Sequence, residues 1–235
     1  MYQVVILAGG FAKRLGLITE QIPKALVKIN GIPFVDWQLS LLARKGIKKV
    51  IFCVSHKSEM IESHVGEGSR FNLEVKYSKD GVTQLGTGGA IRKSISLLDE
   101  SFMVLYGDSY LEMDYEEAQT AFEGSGKPAM VTVYKNSGQY DTSNIKFKNN
   151  VVVQYKKGLT NTQFTHIDYG LSFFKKEVFA NQELGKYFDL SEVFEDLSMR
   201  KDLAGYEVFN RFYEVGSIQG ISDLSKYLSG AQNVI

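Results

Sequence analysis

The chain points to an α/β domain of three layers, helix on sheet on helix, with a mostly parallel central sheet and antiparallel strands added in its second half. Short apolar runs alternate with amphipathic stretches through the first half, the rhythm of a parallel sheet covered on both faces. Strand-like segments then follow one another more closely in the second half. No Gly/Ser/Pro-rich linker interrupts the 235 residues, which contain only three prolines. The expectation is a single domain over residues 1–235, with a first half at 1–112 and a second at 113–235.

Residues 3–8 form an apolar run that reads as a buried strand, and 9–22 a glycine-led polar loop. Asn30-Gly31 is a turn signal. Residues 33–44 read as a helix with Phe34, Trp37, Leu41 and Leu42 on one face. A strand at 49–55, a helix at 57–65 and a strand at 73–77 follow. Ile91, Ile95 and Leu98 stand at helical spacing within 89–98, and a strand at 102–106 runs into Gly107-Asp108. Residues 129–134, 145–147, 151–155 and 167–174 look extended, and 190–199 reads as a helix with Val193, Phe194 and Leu197 inward. Residues 206–209 and 212–215 look strand-like, and 221–228 forms a closing helix.

Lys plus Arg and Asp plus Glu each total 27. A chain with no net charge has no global field to gather nucleic acid or an anionic membrane. Any phosphate it binds must be held by a few placed cations and backbone amides. The single cysteine, Cys53, lies in an apolar run and reads as a small core residue; it permits no internal disulfide and fits a reducing compartment. The N-terminus shows no signal-peptide pattern, and no apolar run reaches the ~18 residues of a membrane helix. A cytoplasmic protein is expected, and a homodimer is compatible with the sequence.

The strongest local signal is Leu7-Ala8-Gly9-Gly10-Phe11-Ala12-Lys13-Arg14-Leu15. A strand runs into two glycines, which let the backbone approach a ligand and present successive N–H groups. Lys13 and Arg14 can then neutralise a polyphosphate, Arg14 bidentately. Neither GxxxxGK[ST] nor GxGxxG is present. In Ile22-Pro23-Lys24-Ala25-Leu26-Val27-Lys28-Ile29-Asn30-Gly31-Ile32-Pro33, Pro23 stiffens the chain just before Lys24 and fixes where its ammonium points. Leu85-Gly86-Thr87-Gly88-Gly89-Ala90 joins a glycine loop to a helix start, where free N–H groups can meet a base edge or an anion. Asp108, at a strand's carboxyl end after a glycine, is placed to hold Mg²⁺.

At these segments the chain resembles the sugar-1-phosphate nucleotidyltransferases, which open on LAGGxGTRL and PKxLxPxxGxP. Here the motifs read LAGGFAKRL and PKALVKINGIP, and the match continues in register along nearly the whole chain. Ala12 stands for glycine, Lys13 for threonine and Lys28 for the common proline. The resemblance implies a Rossmann-like three-layer α/β/α nucleotidyltransferase fold, with a nucleotide-binding first half and a sugar-phosphate-binding second half. It implies transfer of a nucleoside monophosphate from an NTP to a sugar 1-phosphate, with Mg²⁺ as cofactor and release of pyrophosphate. Arg14, Lys24 and Asp108 are then the expected catalytic residues. Leu7, Ala8, Gly9, Gly10, Lys13, Arg14, Asp80, Gly86, Thr87 and Gly88 are expected at the nucleotide. Arg211-Phe212-Tyr213-Glu214-Val215-Gly216-Ser217 looks like the family's second ligand segment, W-x-D-x-G, so Glu214 joins Asp108 on the metal in place of an aspartate one methylene shorter.

On the acceptor side Tyr110, Lys157 and Asp168 are expected. Lys156 occupies the place of a family glutamate, and Asp168 is an unusual choice against sugar hydroxyls that points to an acceptor other than glucose. His166 reads as a surface or supporting residue, and His56 and His64 give no metal spacing. Asp80 suits the N1–H and N2–H donors of guanine, so GTP is favoured, with UTP and CTP open. The resemblance is nearest to heptose-1-phosphate guanylyltransferases and muramate-1-phosphate uridylyltransferases. A glycosyltransferase using an NDP-sugar would want a D-x-D motif that Asp108-Ser109-Tyr110 does not supply. A non-catalytic nucleotide-binding regulator is the other alternative.

Overall fold

The computed structural model describes residues 1–10, 22–81, 83–140, 142–158 and 163–230. Phe11 to Leu15, and with them Lys13 and Arg14, lie outside the described residues. Strand β1 (Gln3–Leu7) is followed by a tight hairpin, β2 (Lys28–Ile29) and β3 (Ile32–Pro33), then α1 (Phe34–Arg44), β4 (Lys49–Val54) and α2 (Ser58–Val65). Next come β5 (Glu74–Lys79), α3 (Gly86–Ser94), β6 (Ser101–Tyr106), β7 (Ser109–Tyr110) and α4 (Tyr115–Ser125). The second half adds β8 (Ala129–Lys135), β9 (Ile145–Lys148), β10 (Val151–Tyr155), β11 (His166–Lys175), α5 (Leu190–Met199), β12 (Leu203–Glu207), β13 (Tyr213–Glu214) and α6 (Ile218–Gly230).

The nine-stranded sheet has the order β5-β4-β1-β6-β11-β8-β12-β10-β9. β5, β4, β1 and β6 pair in parallel, and β12 pairs in parallel with β8. Only β11 and β10 run against the others. The sheet is thus mostly parallel, and every antiparallel pairing in it involves a second-half strand, β10 or β11, as expected.

Side chains alternate across this sheet with the period of two that a strand imposes. On β1, Val4 and Ile6 enter the core of one face while Val5 enters the other; Val50, Phe52 and Val54 oppose Ile51 and Cys53 on β4 in the same way. Helices α1, α2 and α4 cover the first face, and α3 and α5 the second. A third cluster lies outside this sandwich. Ile29, Phe34, Trp37, Leu41, Tyr110 and Val215 pack there against Leu224 and Leu228 of α6.

The hairpin forms because Asn30 and Gly31 both take positive φ, at 51° and 83°, the demand of a two-residue turn between antiparallel strands. Asn30 then donates from Nδ2 to the carbonyl of Ser225 at 3.0 Å, tying the hairpin to α6. Three expectations shift. The helix expected at 89–98 begins at Gly86 and ends in a tighter turn at Ile95–Leu97. The strand expected at 206–209 lies at Leu203–Glu207, where Leu203 and Ala204 are buried and Gly205 lets Phe147 pack against the backbone. Helix α4 falls in a segment for which no element was expected. No described helix is long and apolar enough to cross a membrane.

Candidate active site

A cleft of about 280 Å³ opens beyond the carboxyl ends of β1, β4, β5 and β6, the edge where ligands bind in such sheets. Leu7, Ala8, Gly9 and Gly10 line it after β1, Asp80 after β5, and Tyr106, Gly107 and Asp108 after β6. Gly86, Thr87 and Ala90 of α3 form one wall, Lys24 and Ala25 another, and Tyr187 and Asp189 stand at a third side. Leu7, Ala8, Gly9, Gly10, Asp80, Gly86 and Thr87, all expected at a nucleotide, thus line one cavity.

The glycine loop is held from beneath. Ser55 Oγ and Gln84 Nε2 both donate to the Gly9 carbonyl, at 2.7 and 2.9 Å, and the Ala8 N–H donates to Cys53 O at 2.8 Å. Gly107 donates to Leu7 O at 3.0 Å; a Cβ there would stand 2.5 Å from that same oxygen. Glycine at 107 thus lets β1 and β6 close together just where Asp108 emerges. Cys53 lines the cleft but is 2% exposed, and burial pushes its thiol up to about 12, so it is a core residue and no nucleophile.

Lys24 and Asp108 line one end of the cleft, and Glu214 lies near them around Gly216 without lining it. The extended Pro23 starts a single helical turn at Lys24–Leu26, and from it Lys24 Nζ reaches Asp108 Oδ2 at 2.8 Å. The short β7 and β13 pair with Glu214 opposite Ser109, and the Val215 N–H donates to Asp108 O at 2.9 Å. A Cβ on Gly216 would sit 2.6 Å from Glu214 Oε2, 3.3 Å from Asp108 Oδ2 and 3.4 Å from Lys24 Nζ. The two carboxylates, more than 100 positions apart in sequence, thus share a cradle that only a glycine leaves open. The extra methylene of Glu214 is taken up at the start of α6. Its Oε1 accepts from Ser217 Oγ at 2.5 Å, its Oε2 accepts from the Gly216 N–H, and Gly220 leaves room for its Cδ.

At the opposite side of Tyr106 lies a polar group with few cations. Tyr106 and Tyr155 donate to Asp168 Oδ2 at 3.2 and 3.5 Å, and the Gly170 N–H donates to Asp168 Oδ1 at 2.9 Å. Burial pushes the Asp168 carboxyl up to about 6 against these hydrogen bonds. Asp189 caps α5 by accepting from the Ser191 N–H at 2.9 Å and pairs with Lys157 Nζ at 3.4 Å. Lys156 pairs with Glu195 on α5 at 2.7 Å, so the carboxylate partner that the sequence lacked beside Lys156 comes from a distant helix.

Two expected contacts are corrected. Gly88 does not line the cleft. It lies in the first turn of α3, its N–H donates to Phe188 O at 3.1 Å, and a Cβ would overlap the Phe188 ring. Tyr110 is 1% exposed, packed in the third core cluster edge-on to Tyr227, and does not line the cleft. Thr87 does line the cleft, but its Oγ1 also accepts from the Leu190 N–H at 2.8 Å, locking α3 to α5. Asp80 Oδ2 accepts from the Leu85 N–H at 3.3 Å. His166 is buried rather than superficial, with Nε2 3.2 Å from Glu207 Oε1. His64 Nε2 lies 2.7 Å from Asp36 Oδ1, far in role from any metal. Among the described residues no three His, Cys, Asp or Glu side chains gather as a metal cluster. Sequence reasoning missed Gln84, Tyr187 and Asp189. Gln84 stands one residue before the glycine motif and Asp189-x-x-Glu192 is a helix cap legible in the sequence, while nothing in the sequence marks Tyr187.

A family model described as nucleotidyl transferase matches residues 3–229. The chain is 28% identical over 195 residues to the D-glycero-alpha-D-manno-heptose 1-phosphate guanylyltransferase of Campylobacter jejuni, covering 83% of this chain and 85% of that protein. It is 31% identical over 121 residues to the N-acetylmuramate alpha-1-phosphate uridylyltransferase of Neisseria meningitidis, covering 51% of this chain and 52% of that one. The fold is shared with the crystal structure of HddC from Yersinia pseudotuberculosis complexed with GMP-PN, at a TM-score of 0.78 and 24% identity over 97% of this chain and 100% of the other. With the motifs, the sheet and the cleft in agreement, the chain belongs to the nucleotidyl transferase family, among its sugar-1-phosphate nucleotidyltransferases.

Proposed function

We propose that the cleft binds an NTP, with GTP favoured, and that a phosphate oxygen of a sugar 1-phosphate attacks its α-phosphorus. The bond from the α-phosphorus to the bridging oxygen breaks, and pyrophosphate leaves with that oxygen. The observation that carries this is the convergence of Lys24, Asp108 and Glu214 beside the glycine loop. No general base is required, because the attacking phosphate oxygen is already ionised at neutral pH. Backbone N–H groups around Gly9 and Gly10 face the β and γ phosphates, helped by Lys13 and Arg14. Lys24 offsets the charge that grows on the α-phosphate in the transition state. Positioning and electrostatics supply the rate enhancement.

The donor set fits a hard divalent cation. Asp108 and Glu214 share the cradle over Gly216, and Mg²⁺ is commonly held by one or two carboxylates plus substrate phosphates. Asp108 and Glu214 would hold such an ion, which would supply positive charge to offset that of the reacting phosphates.

GTP is favoured because Asp80 lines the cleft beside α3, where a carboxylate suits the adjacent N–H donors of guanine. Relatives named as heptose-1-phosphate and mannose-1-phosphate guanylyltransferases support the same base, and the uridylyltransferase relative keeps UTP as the second choice. The proposed substrates and the free, buried Cys53 support a cytoplasmic location. A pyrophosphate-release screen of four NTPs against sugar 1-phosphates, with Mg²⁺, tests the proposal. Turnover is expected with GTP and a hexose or heptose 1-phosphate. Nucleotide binding without turnover would instead mark a regulatory protein. Asp108→Ala should abolish release while leaving the circular dichroism spectrum unchanged, because the side chain is one-third exposed and outside the core.

A further inference from the structure

Ser217 stands where the cradle of Asp108 and Glu214 meets helix α6, and its one hydroxyl serves both. Ser217 immediately precedes α6, and its Oγ accepts from the Gly220 N–H at 2.9 Å, the bond an N-cap makes to the third residue of its helix. A backbone N–H can only donate, so the single proton of the hydroxyl is left for its other partner, Glu214 Oε1, at 2.5 Å. The second carboxylate oxygen, Oε2, accepts from the Gly216 N–H and lies on the side of Asp108. A Cβ on Gly216 would stand 2.6 Å from that oxygen and 3.3 Å from Asp108 Oδ2. Ser217 thus ties one oxygen of Glu214 to the helix and leaves the other turned toward Asp108. A glutamate has one more side-chain torsion to order than an aspartate, so without an anchor it would lose more freedom on gripping an ion. The Ser217 hydroxyl and the Gly216 N–H order that torsion in advance.

We propose that Ser217 is a positioning residue for divalent-cation binding, its hydroxyl fixing which oxygen of Glu214 faces Asp108. The inference rests on the reading of Asp108 and Glu214 as the residues that would hold the ion. The same hydroxyl makes the start of α6 part of the apparatus that orients this carboxylate, because one oxygen atom both caps the helix and aims Glu214.

The test measures binding of Mn²⁺ alone to the full chain, free and bound ion being distinguished by electron paramagnetic resonance, with circular dichroism and Tm recorded alongside. Ser217→Gly removes the hydroxyl yet keeps most of the capping preference, and Ser217→Thr keeps both hydroxyl and cap. Ser217→Gly should weaken Mn²⁺ binding by about tenfold with little change in Tm, while Ser217→Thr stays within about twofold of wild type. Glu214→Gln keeps an oxygen for the Ser217 hydroxyl but gives up the charge, and should weaken binding at least as much. A residue that only capped the helix would leave Mn²⁺ affinity unmoved in Ser217→Gly. That result, failure of Ser217→Thr to hold the wild-type affinity, or wild-type affinity in Glu214→Gln would each overturn the proposal. Pyrophosphate release by wild type with Mg²⁺, together with unmoved affinity in Ser217→Gly, rejects this inference and leaves the transfer reading standing. A wild-type chain that neither binds Mn²⁺ nor releases pyrophosphate overturns both.

Discussion

Lys24 is a residue whose role is geometric before it is electrostatic. Its ammonium is held by Asp108 at 2.8 Å with its side chain 21% exposed, already in place before substrate arrives. Lys24→Ala should therefore lower kcat by about a hundredfold while changing KM far less, as for a charge that acts on the transition state. Steady-state kinetics decide this, and an unchanged kcat would remove Lys24 from the mechanism. Asp168 makes a different prediction, one of stability. Burial holds its carboxyl at about 6, above the ~3.9 of an unfolded aspartate. Between these values the folded chain binds the proton more tightly than the unfolded chain does. Stability is lost as pH rises through that window and is constant above it. Tyr106, Tyr155 and Lys157 all face this group and are common to wild type and variant. Asp168→Asn lacks the titration. From pH 4 to pH 7 its unfolding free energy should gain on the order of 2 kcal/mol relative to wild type. Urea titrations at the two pH values measure this, and a flat difference would reject it.

Among the elements, α3 shows how a motif can be structural and functional at once. Its first turn carries three glycines, a poor choice for helix propensity alone. The segment Lys186 to Phe188 passes so close that a Cβ on Gly86 would stand 2.5 Å from Phe188 O, and one on Gly89 2.6 Å from Lys186 O. The glycines bring α3 against the chain that carries Tyr187 and Asp189 into the cleft. Gly88→Ala should cost about 1–3 kcal/mol through overpacking on Phe188. A lowered Tm with little change in KM for NTP is expected, since Gly88 does not touch the cleft; a large rise in KM without loss of Tm would restore it to the nucleotide site. Helix α4 offers the opposite lesson. Asp114 Oδ1 accepts from the Glu117 N–H at 2.9 Å, so Asp-x-x-Glu at its start was a legible cap. Its apolar positions, Tyr115, Ala118 and Phe122, are sparse enough to hide the helical period.

For the whole molecule, α6 closes the circuit. It covers the third core cluster, receives the hairpin through Asn30, and offers its first turn to Glu214. Removing residues 218–235 would uncover Ile29, Phe34, Trp37 and Tyr110, at roughly 2 kcal/mol for each buried side chain. The chain has one tryptophan, Trp37, 7% exposed and donating to Ile29 O at 3.1 Å. The truncated protein should show a red-shifted tryptophan emission and a lower Tm. An unshifted spectrum would mean that α6 is dispensable to the core.

The strands, the hairpin turn and the glycine loop after β1 were legible in the residues, because apolar period and turn chemistry are local properties of the chain, whereas the approach of Glu214 to Asp108 was expected from the family resemblance and brought about by the pairing of β13 with β7. Lys13 and Arg14 lie outside the described residues, so their expected contacts remain part of the proposal. Tertiary packing alone turned Tyr110 into the core, gave Gly88 to Phe188, paired Lys156 with Glu195, and brought Tyr187 and Asp189 to the cleft. Each of these depends on a partner tens of residues away, and where a side chain points is set by which distant surface can exclude water from it or complete its hydrogen bonds.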